Sequence, residues 1–393
     1  MVGFRLRCLA AGVGVVAGCA PDNSPTHRLV RDSAGVEIVL SSAPDRMLDW
    51  AFTEVRILGG TDAGPEAFFR VNRGTVSTNE LGRIFVWDGS SHRVHAFDSI
   101  GTHLWSTGGN GGGPGEILGG NSVAADRMGG VAVFDWKKAA LVRFDSVGAV
   151  LPELPLADMP IRAWEPHVAF AGGGVAVWKQ EEFVGQERRQ VVLRFLTNQD
   201  TVTLVTASPT VSRTAAFSGC PMRITLPALN STRINWHTAG DLIAVNVVPE
   251  YAIEVFAESR KMRSVRRDVK PPIMTEAEAL AAYQRRGMLG ALAGACRPSA
   301  AEMLEHIGFE PRTQLVRGIA LGPSGELWVA RLDRSRGDSM VVDVFDSAGE
   351  YIGTLPSGSP IPLGVLPGDR IVGAHRDTLD VERLVIWQVT RQN

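Results

Sequence analysis

Gly82-Arg-Ile-Phe-Val-Trp-Asp88 returns in related form at five later places in the chain. It reads Gly129-Gly-Val-Ala-Val-Phe-Asp135, Gly173-Gly-Val-Ala-Val-Trp-Lys179, Gly240-Asp-Leu-Ile-Ala-Val-Asn246, Gly325-Glu-Leu-Trp-Val-Ala-Arg331 and, shortened, Gly368-Asp-Arg-Ile-Val372. Each copy is a turn glycine followed by a run of Val, Ile, Phe and Trp, residues that fit a pleated, buried strand. In three copies a second strand closes on Phe-Asp: Val94-His-Ala-Phe-Asp98, Leu141-Val-Arg-Phe-Asp145 and Val342-Asp-Val-Phe-Asp346. The starts fall about 47, 44, 67, 85 and 43 residues apart, the period of a four-stranded propeller blade with two insertions. One such sheet cannot bury both its faces, whereas radial stacking buries every face and leaves short, protected edges. The expected fold is all-β, a six-bladed β-propeller.

Closure is also legible. Gly59-Gly-Thr-Asp-Ala-Gly-Pro-Glu66 echoes Gly108-Gly-Asn-Gly-Gly-Gly-Pro-Gly-Glu116. Trp50 to Leu58 therefore corresponds to an outer strand, with no earlier blade to own it. The last unit stops after its third strand, 383 to 389, so the N-terminal strand is expected to complete the last blade. The fourth unit carries about 20 extra residues around Cys220. A helical insertion at about 275–308, before the fifth blade, shows two capping boxes, Thr275-Glu-Ala-Glu278 and Ser299-Ala-Ala-Glu302.

The front of the chain is a targeting segment. Arg5 and Arg7 precede an apolar run, Cys8 to Ala17, too short to span a bilayer. Val16-Ala17-Gly18-Cys19 resembles the bacterial lipobox, which implies a signal peptide of 1–18, lipidation at Cys19 and a tether of 19–34 before a propeller of 35–393. Ala20, where an inner-membrane retention signal would have Asp, favours the outer membrane of a double-membraned cell. Cys220 and Cys296 remain, an even pair that reads as a disulfide in an oxidising compartment. The alternative is two separate buried thiols.

Val86-Trp-Asp-Gly-Ser-Ser-His-Arg-Val-His-Ala-Phe-Asp98 resembles the NHL repeat. Gly111-Gly-Gly-Pro-Gly-Glu116 resembles a loop of six-bladed propeller lipoproteins from environmental bacteria. The resemblance covers nearly all of 35–393. It implies a fold shared by enzymes, sensors and binding scaffolds, and therefore no single function.

In such propellers ligands bind where the innermost strands begin. Aligning the units on their glycines places Gly74, Asn121, His167, Arg233 and Arg317 there, with Arg73 and Ser122 adjacent. The candidate ligand set is Arg73, Asn121, His167, Arg233 and Arg317. It would make a positive mouth suited to a carboxylate or sulfate gripped in bidentate fashion. Equally, these arginines could pair with carboxylates such as Glu165 and only stitch blades together. His167, His237 and His375 are too unlike in register for a zinc site. Asn121 and Asn235 fall short of the calcium set that a lactonase-type propeller implies. Gly-x-Ser-x-Gly, His-Glu-x-x-His and P-loop motifs are absent, and a net charge of −2 offers no field for nucleic acid. The expectation is a monomeric, envelope-anchored, non-catalytic binding or scaffold module without metal or cofactor. Its partners would be the membrane, through the anchor, and a peptide, protein or anionic carbohydrate. The alternative is a metal-dependent lactonase- or lyase-type enzyme.

Overall fold

The structure is a computed structural model that describes residues 27–391, apart from 32–34, 43, 61–66, 69–70, 72–73, 157–167, 172–174, 185–186, 196–200, 208–211, 221–222, 258, 286–297, 323, 334–338 and 377–381. A hairpin, β1 (His27–Arg31) and β2 (Glu37–Ser41), precedes β3 (Ala51–Leu58). The first blade is β4 (Val76–Thr78), β5 (Ile84–Asp88), β6 (Arg93–Phe97) and β7 (His103–Gly108). The second is β8 (Gly120–Ala125), β9 (Val131–Asp135), β10 (Ala140–Phe144) and β11 (Val150–Pro155). The third is β12 (Val168–Ala171), β13 (Val175–Val184), β14 (Glu187–Phe195) and β15 (Thr201–Thr206). A small hairpin, β16 (Ser212–Ala215) and β17 (Ile224–Pro227), leads into β18 (Asn235–Ala239), β19 (Leu242–Asn246), β20 (Ala252–Ala257) and β21 (Arg260–Arg267). After α1 (Glu276–Arg285) and α2 (Ala300–His306) come β22 (Val316–Leu321), β23 (Leu327–Asp333), β24 (Ser339–Phe345) and β25 (Tyr351–Leu355). The last blade is β26 (Pro362–Leu366), β27 (Arg370–Arg376) and β28 (Glu382–Thr390), joined by β3.

This is an all-β propeller with five four-stranded blades, a six-stranded sheet ordered β1-β2-β21-β20-β19-β18, and the separate β16-β17 hairpin. The expectation of six four-stranded blades is corrected accordingly. The departure is at the fourth repeat unit, where β2 lies parallel on β21 from Glu37↔Arg263 to Ser41↔Arg267 and carries β1 on its outer side. A partner delivered from far along the chain leaves no mark on a local period. Residues 27–31, within the expected tether of 19–34, form β1. Strands β4, β8, β12, β18, β22 and β26 touch in that order, and β26 returns to β4 around the axis.

The unbroken apolar runs have a simple cause. Every residue of β5 and of β9 is buried. Ile84 and Val86 pack toward Leu366, Val372 and Ile386 of the last blade, while Phe85 and Trp87 pack toward Val123, Val131 and Val133 of the second. Alternate side chains thus enter two different cores, and neither face is left for polar residues.

The N-terminal stretch forms a belt over three consecutive sheets. From β2 on the six-stranded sheet, the chain crosses the edge of the β22–β25 blade. There Leu48 N–H donates to Thr354 O at 2.9 Å and Thr354 N–H to Arg46 O at 2.7 Å. Trp50 meets Trp328 edge-on, with ring centroids 5.7 Å apart. The belt ends as β3, antiparallel to β28 from Leu58↔Leu384 to Ala51↔Thr390.

A buried ionic cluster fastens the belt. Arg331 stands where other units carry Asp88, Asp135 or Asn246. Its Nε and the Nη1 of Arg267 each lie 2.8 Å from Asp343 Oδ2, and Asp343 Oδ1 accepts from Thr354 Oγ1 at 2.6 Å. Asp45, from the belt, takes the outer nitrogens: Arg331 Nη2 at 2.6 Å and Arg267 Nη2 at 3.1 Å. Arg267 also stacks 3.9 Å above the Tyr351 ring. Partial burial alone would raise the Asp45 pKa, but the charges and hydrogen bonds of both arginines outweigh it and hold the carboxyl below its ordinary range.

Both helices begin with capping boxes, closed by Thr275 with Glu278 and by Ser299 with Glu302. Helix α2 docks on the β16-β17 hairpin. Ala215 and Phe217 pack with Met303 and Ile307, and Ser218 N–H donates to Glu302 Oε1 at 3.1 Å. Cys220 lies partly buried beside this cluster. Cys296 lies outside the described residues.

Candidate functional site at the axial mouths

At the mouth where the first strands begin, two candidates sit on the same irregularity. The β8–β9 ladder pairs Gly120 with Asp135 and Ser122 with Phe134, so Asn121 is the extra, bulged residue. The β22–β23 ladder pairs Val316 with Arg331 and Gly318 with Ala330, so Arg317 is bulged likewise. Leu363 takes this place in β26. A bulge frees one residue from the ladder and re-aims its side chain. Arg317 is exposed between buried Val316 and Gly318. Asn121 is half-buried, and its buried Oδ1 has no hydrogen-bond partner among the described residues.

Arg233 is exposed but falls two residues short of the aligned place, which Asn235 occupies. The glycine alignment misplaced it because β18 joins β19 through the two-residue turn Gly240-Asp241, shorter than the turns of the first two blades. Asn235 Nδ2 donates to Val316 O at 3.0 Å, and buried Gln314 clamps the Arg233 backbone, accepting from its N–H at 3.0 Å and donating to its carbonyl at 2.7 Å. The lead-ins carrying Arg233 and Arg317 thus run side by side. Gly74 contributes a backbone carbonyl to Val123 N–H at 2.8 Å. Arg73, His167 and Cys19 lie outside the described residues.

His237, His92, His95 and His103 hold neighbouring strands and corners. His237 Nδ1 accepts from Leu321 N–H at 3.2 Å and its Nε2 donates to Leu363 O at 3.1 Å. Both ring nitrogens are engaged, one tautomer is set, and β18 is tied to β22 and β26. His375 is exposed within β27, not beyond the second strand. His92, at φ 56°, turns the β5–β6 corner and bonds Ile117 O at 2.8 Å. Burial in the first blade pushes His95 down to about 4, and its Nδ1 shares Ser106 Oγ with His103 Nε2 at 2.8 Å each. Among the described residues, no three His, Cys, Asp or Glu side chains gather as a metal-ligand group.

At the opposite mouth, where the first strands end, a shallow cleft open to solvent is lined by Ser77, Glu80, Asp126, Arg127, Thr238 and Gly240 among others. Arg127 reaches Asp241 Oδ1 at 3.1 Å and Glu80 Oε2 at 3.9 Å, so one guanidinium serves two carboxylates from different sheets. Repeat alignment overlooked this mouth because its residues sit in turns, where identity varies most between units.

No family model matches the chain, and no curated protein does. Among solved structures it is similar to a protein of Bacteroides fragilis named as exported, at 12% identity and TM-score 0.47, over 89% of this chain and 96% of that one. It is also similar to a DUF4221 family member of Bacteroides vulgatus, at 9% identity and TM-score 0.49, over 88% and 100%. Virginiamycin B lyase from Staphylococcus aureus is similar at 9% identity and TM-score 0.37, over 86% and 88%. These are likenesses of strand layout and assign no residue a role.

Proposed function

We propose that this chain is a cell-envelope binding propeller, lipid-anchored at Cys19, that grips an anionic group of a peptide, protein or carbohydrate at the mouth where its first strands begin. The observation that carries the reading is Arg317, exposed on a bulge beside the lead-in of Arg233, with the buried Oδ1 of Asn121 on the matching bulge of β8. Arginines on neighbouring lead-ins suit a carboxylate or sulfate, and a buried carbonyl oxygen suits a ligand N–H or O–H. In this reading the six-stranded sheet fills a sixth radial place, supported by the ring of six first strands, and Cys220 pairs with Cys296.

Calorimetry on the Cys19→Ser chain, with a tetragalacturonate, a sulfated disaccharide and an acidic tetrapeptide as probes, tests the mouth. At least one probe is expected to bind, and Arg233→Ala and Arg317→Ala each to weaken it about tenfold, about 1.4 kcal/mol. Equal binding by parent and variants would remove the support for this mouth. The anchor is tested separately: Cys19→Ser is expected to move the protein from the membrane to the soluble envelope fraction, and an unchanged distribution would argue against lipidation there.

A further inference from the structure

The turns on the face where the first strands end share one construction. Asp98, Asp145 and Asp346 each accept, on one carboxylate oxygen, the N–H groups two and four residues on, at 2.8–3.0 Å. Asn79 does the same for Leu81 and Arg83, and Asp126 accepts from Gly130 at 2.8 Å. A glycine then takes positive φ: Gly82 at 77°, Gly101 at 84°, Gly129 at 86°, Gly148 at 84° and Gly349 at 81°. The residue just before that glycine has no side-chain duty in the turn, because exposed Ala348 closes the β24–β25 corner with only a methyl group. In the first two blades that place holds Leu81, Ile100, Met128 and Val147, exposed by 61%, 52%, 84% and 71%. The fold does not need these four large apolar side chains.

They also adjoin. Leu81 Cδ1 and Ser146 Cβ both lie 3.4 Å from where a side chain on Gly129 would begin, and Ser99 Cβ lies 2.9 Å from that point on Gly82. Arg83 is tied to the carbonyls of Gly129 and Ser146 beneath the patch. A contiguous exposed apolar patch of this kind marks an interaction surface. Its surroundings carry Glu80, Asp98, Asp126, Asp145 and Asp241 against Arg83 and Arg127, with Arg56 beside Gly101 and Arg370 on the Ser99 carbonyl. Since Arg127 is shared by Glu80 and Asp241, the rim of the cleft keeps an excess negative charge.

We infer that this face docks a protein segment that offers aliphatic side chains beside lysine or arginine, the aliphatics covering Leu81, Met128 and Val147 and a cation meeting the carboxylates of the cleft rim outside the Arg127 bridge. The charge decides against the other occupants. An anionic bilayer is repelled by such a rim, and a second copy would set like charges against each other. β1 also starts on the opposite face, with His27 paired to Ser41 and Ser41 to Arg267. On the lipid-anchor reading, the docking face then points away from the membrane.

The test uses the Cys19→Ser chain and an 18-residue amphipathic peptide of Leu and Lys, followed by fluorescence polarisation, with a Leu and Glu peptide as counterpart. The Leu-Lys peptide is expected to bind in the micromolar range and the Leu-Glu peptide not to bind. Leu81→Ser/Met128→Ser/Val147→Ser together should weaken binding at least tenfold with an unchanged melting temperature, and Arg233→Ala/Arg317→Ala should leave it intact. That last variant separates a failure here from a failure at the other mouth. The inference is overturned if the Leu-Lys peptide does not bind, binds the triple variant equally well, or is matched by the Leu-Glu peptide. It is also overturned if phosphatidylglycerol vesicles capture the parent and not the triple variant, or if sedimentation shows a dimer that the triple variant dissolves.

Discussion

Deleting residues 35–58 is expected to abolish cooperative unfolding of the whole domain, not to peel away one strand. The segment supplies β2, the strap and β3, and so takes a partner strand from each of two sheets and the cover from the blade between them. Without β3, the outer edge of β28 is left open beside buried Leu384, Val385 and Ile386. Without Asp45, Arg267 and Arg331 share a single carboxylate. Losses of several kcal/mol at three contiguous places exceed the roughly 5–15 kcal/mol that holds a typical domain. Circular dichroism should show no sigmoidal melt, and limited proteolysis should cut throughout 76–390. A protease-resistant remainder containing intact blades would contradict the belt's role. Removing only the residues before His27 should leave the melt unchanged, because β1 and all later elements are retained.

The second large effect is expected at Asp343. Asp343→Asn leaves two guanidiniums, Arg267 and Arg331, almost fully out of water with only the partly exposed Asp45 to balance them. Breaking a buried ionic group by removing one partner costs about 3–5 kcal/mol, mainly the desolvation of the charge left behind. Arg331→Met with Asp343→Leu should be milder than either single change, since it removes both charges. Urea unfolding at pH 7 measures both, and a single-variant loss under about 1 kcal/mol would contradict this account. The cluster also predicts acid sensitivity. Because Asp45 has a lowered pKa in the folded chain, its contribution is fully present above the ordinary carboxylate range and is lost as pH falls through its own, lower folded value. Asp45→Asn should be less stable at neutral pH and show a flatter acid limb.

Whether a feature was legible in the sequence followed from the range of the interaction behind it. The blades were legible because each is a local meander whose second strand is buried on both faces, so an apolar run such as Ile84 to Asp88 had to recur at a fixed period. The clasp was legible through the echo of one glycine loop in another. Cluster and belt were less so. Arg331 broke the Asp88, Asp135 and Asn246 pattern, a visible signal, but its partners lie on other strands, and Asp45 is 286 positions away. At the first mouth, the sequence nominated Asn121 and Arg317, and it aligned Arg233 where Asn235 stands because one shorter turn moved the register of β18 by two residues.

What the sequence determined by itself was therefore the periodic part: strand identity, the propeller architecture, the turn glycines and the helix caps, each governed by contacts within one repeat or one turn. Only the tertiary structure decided which sheet the N-terminal hairpin joined, how Asp45, Arg267, Arg331 and Asp343 met, and that His237 ties three first strands together. Those outcomes depend on burial and pairing between segments far apart in the chain. A charge or edge strand takes the partner that space delivers, and no local pattern records which partner that is.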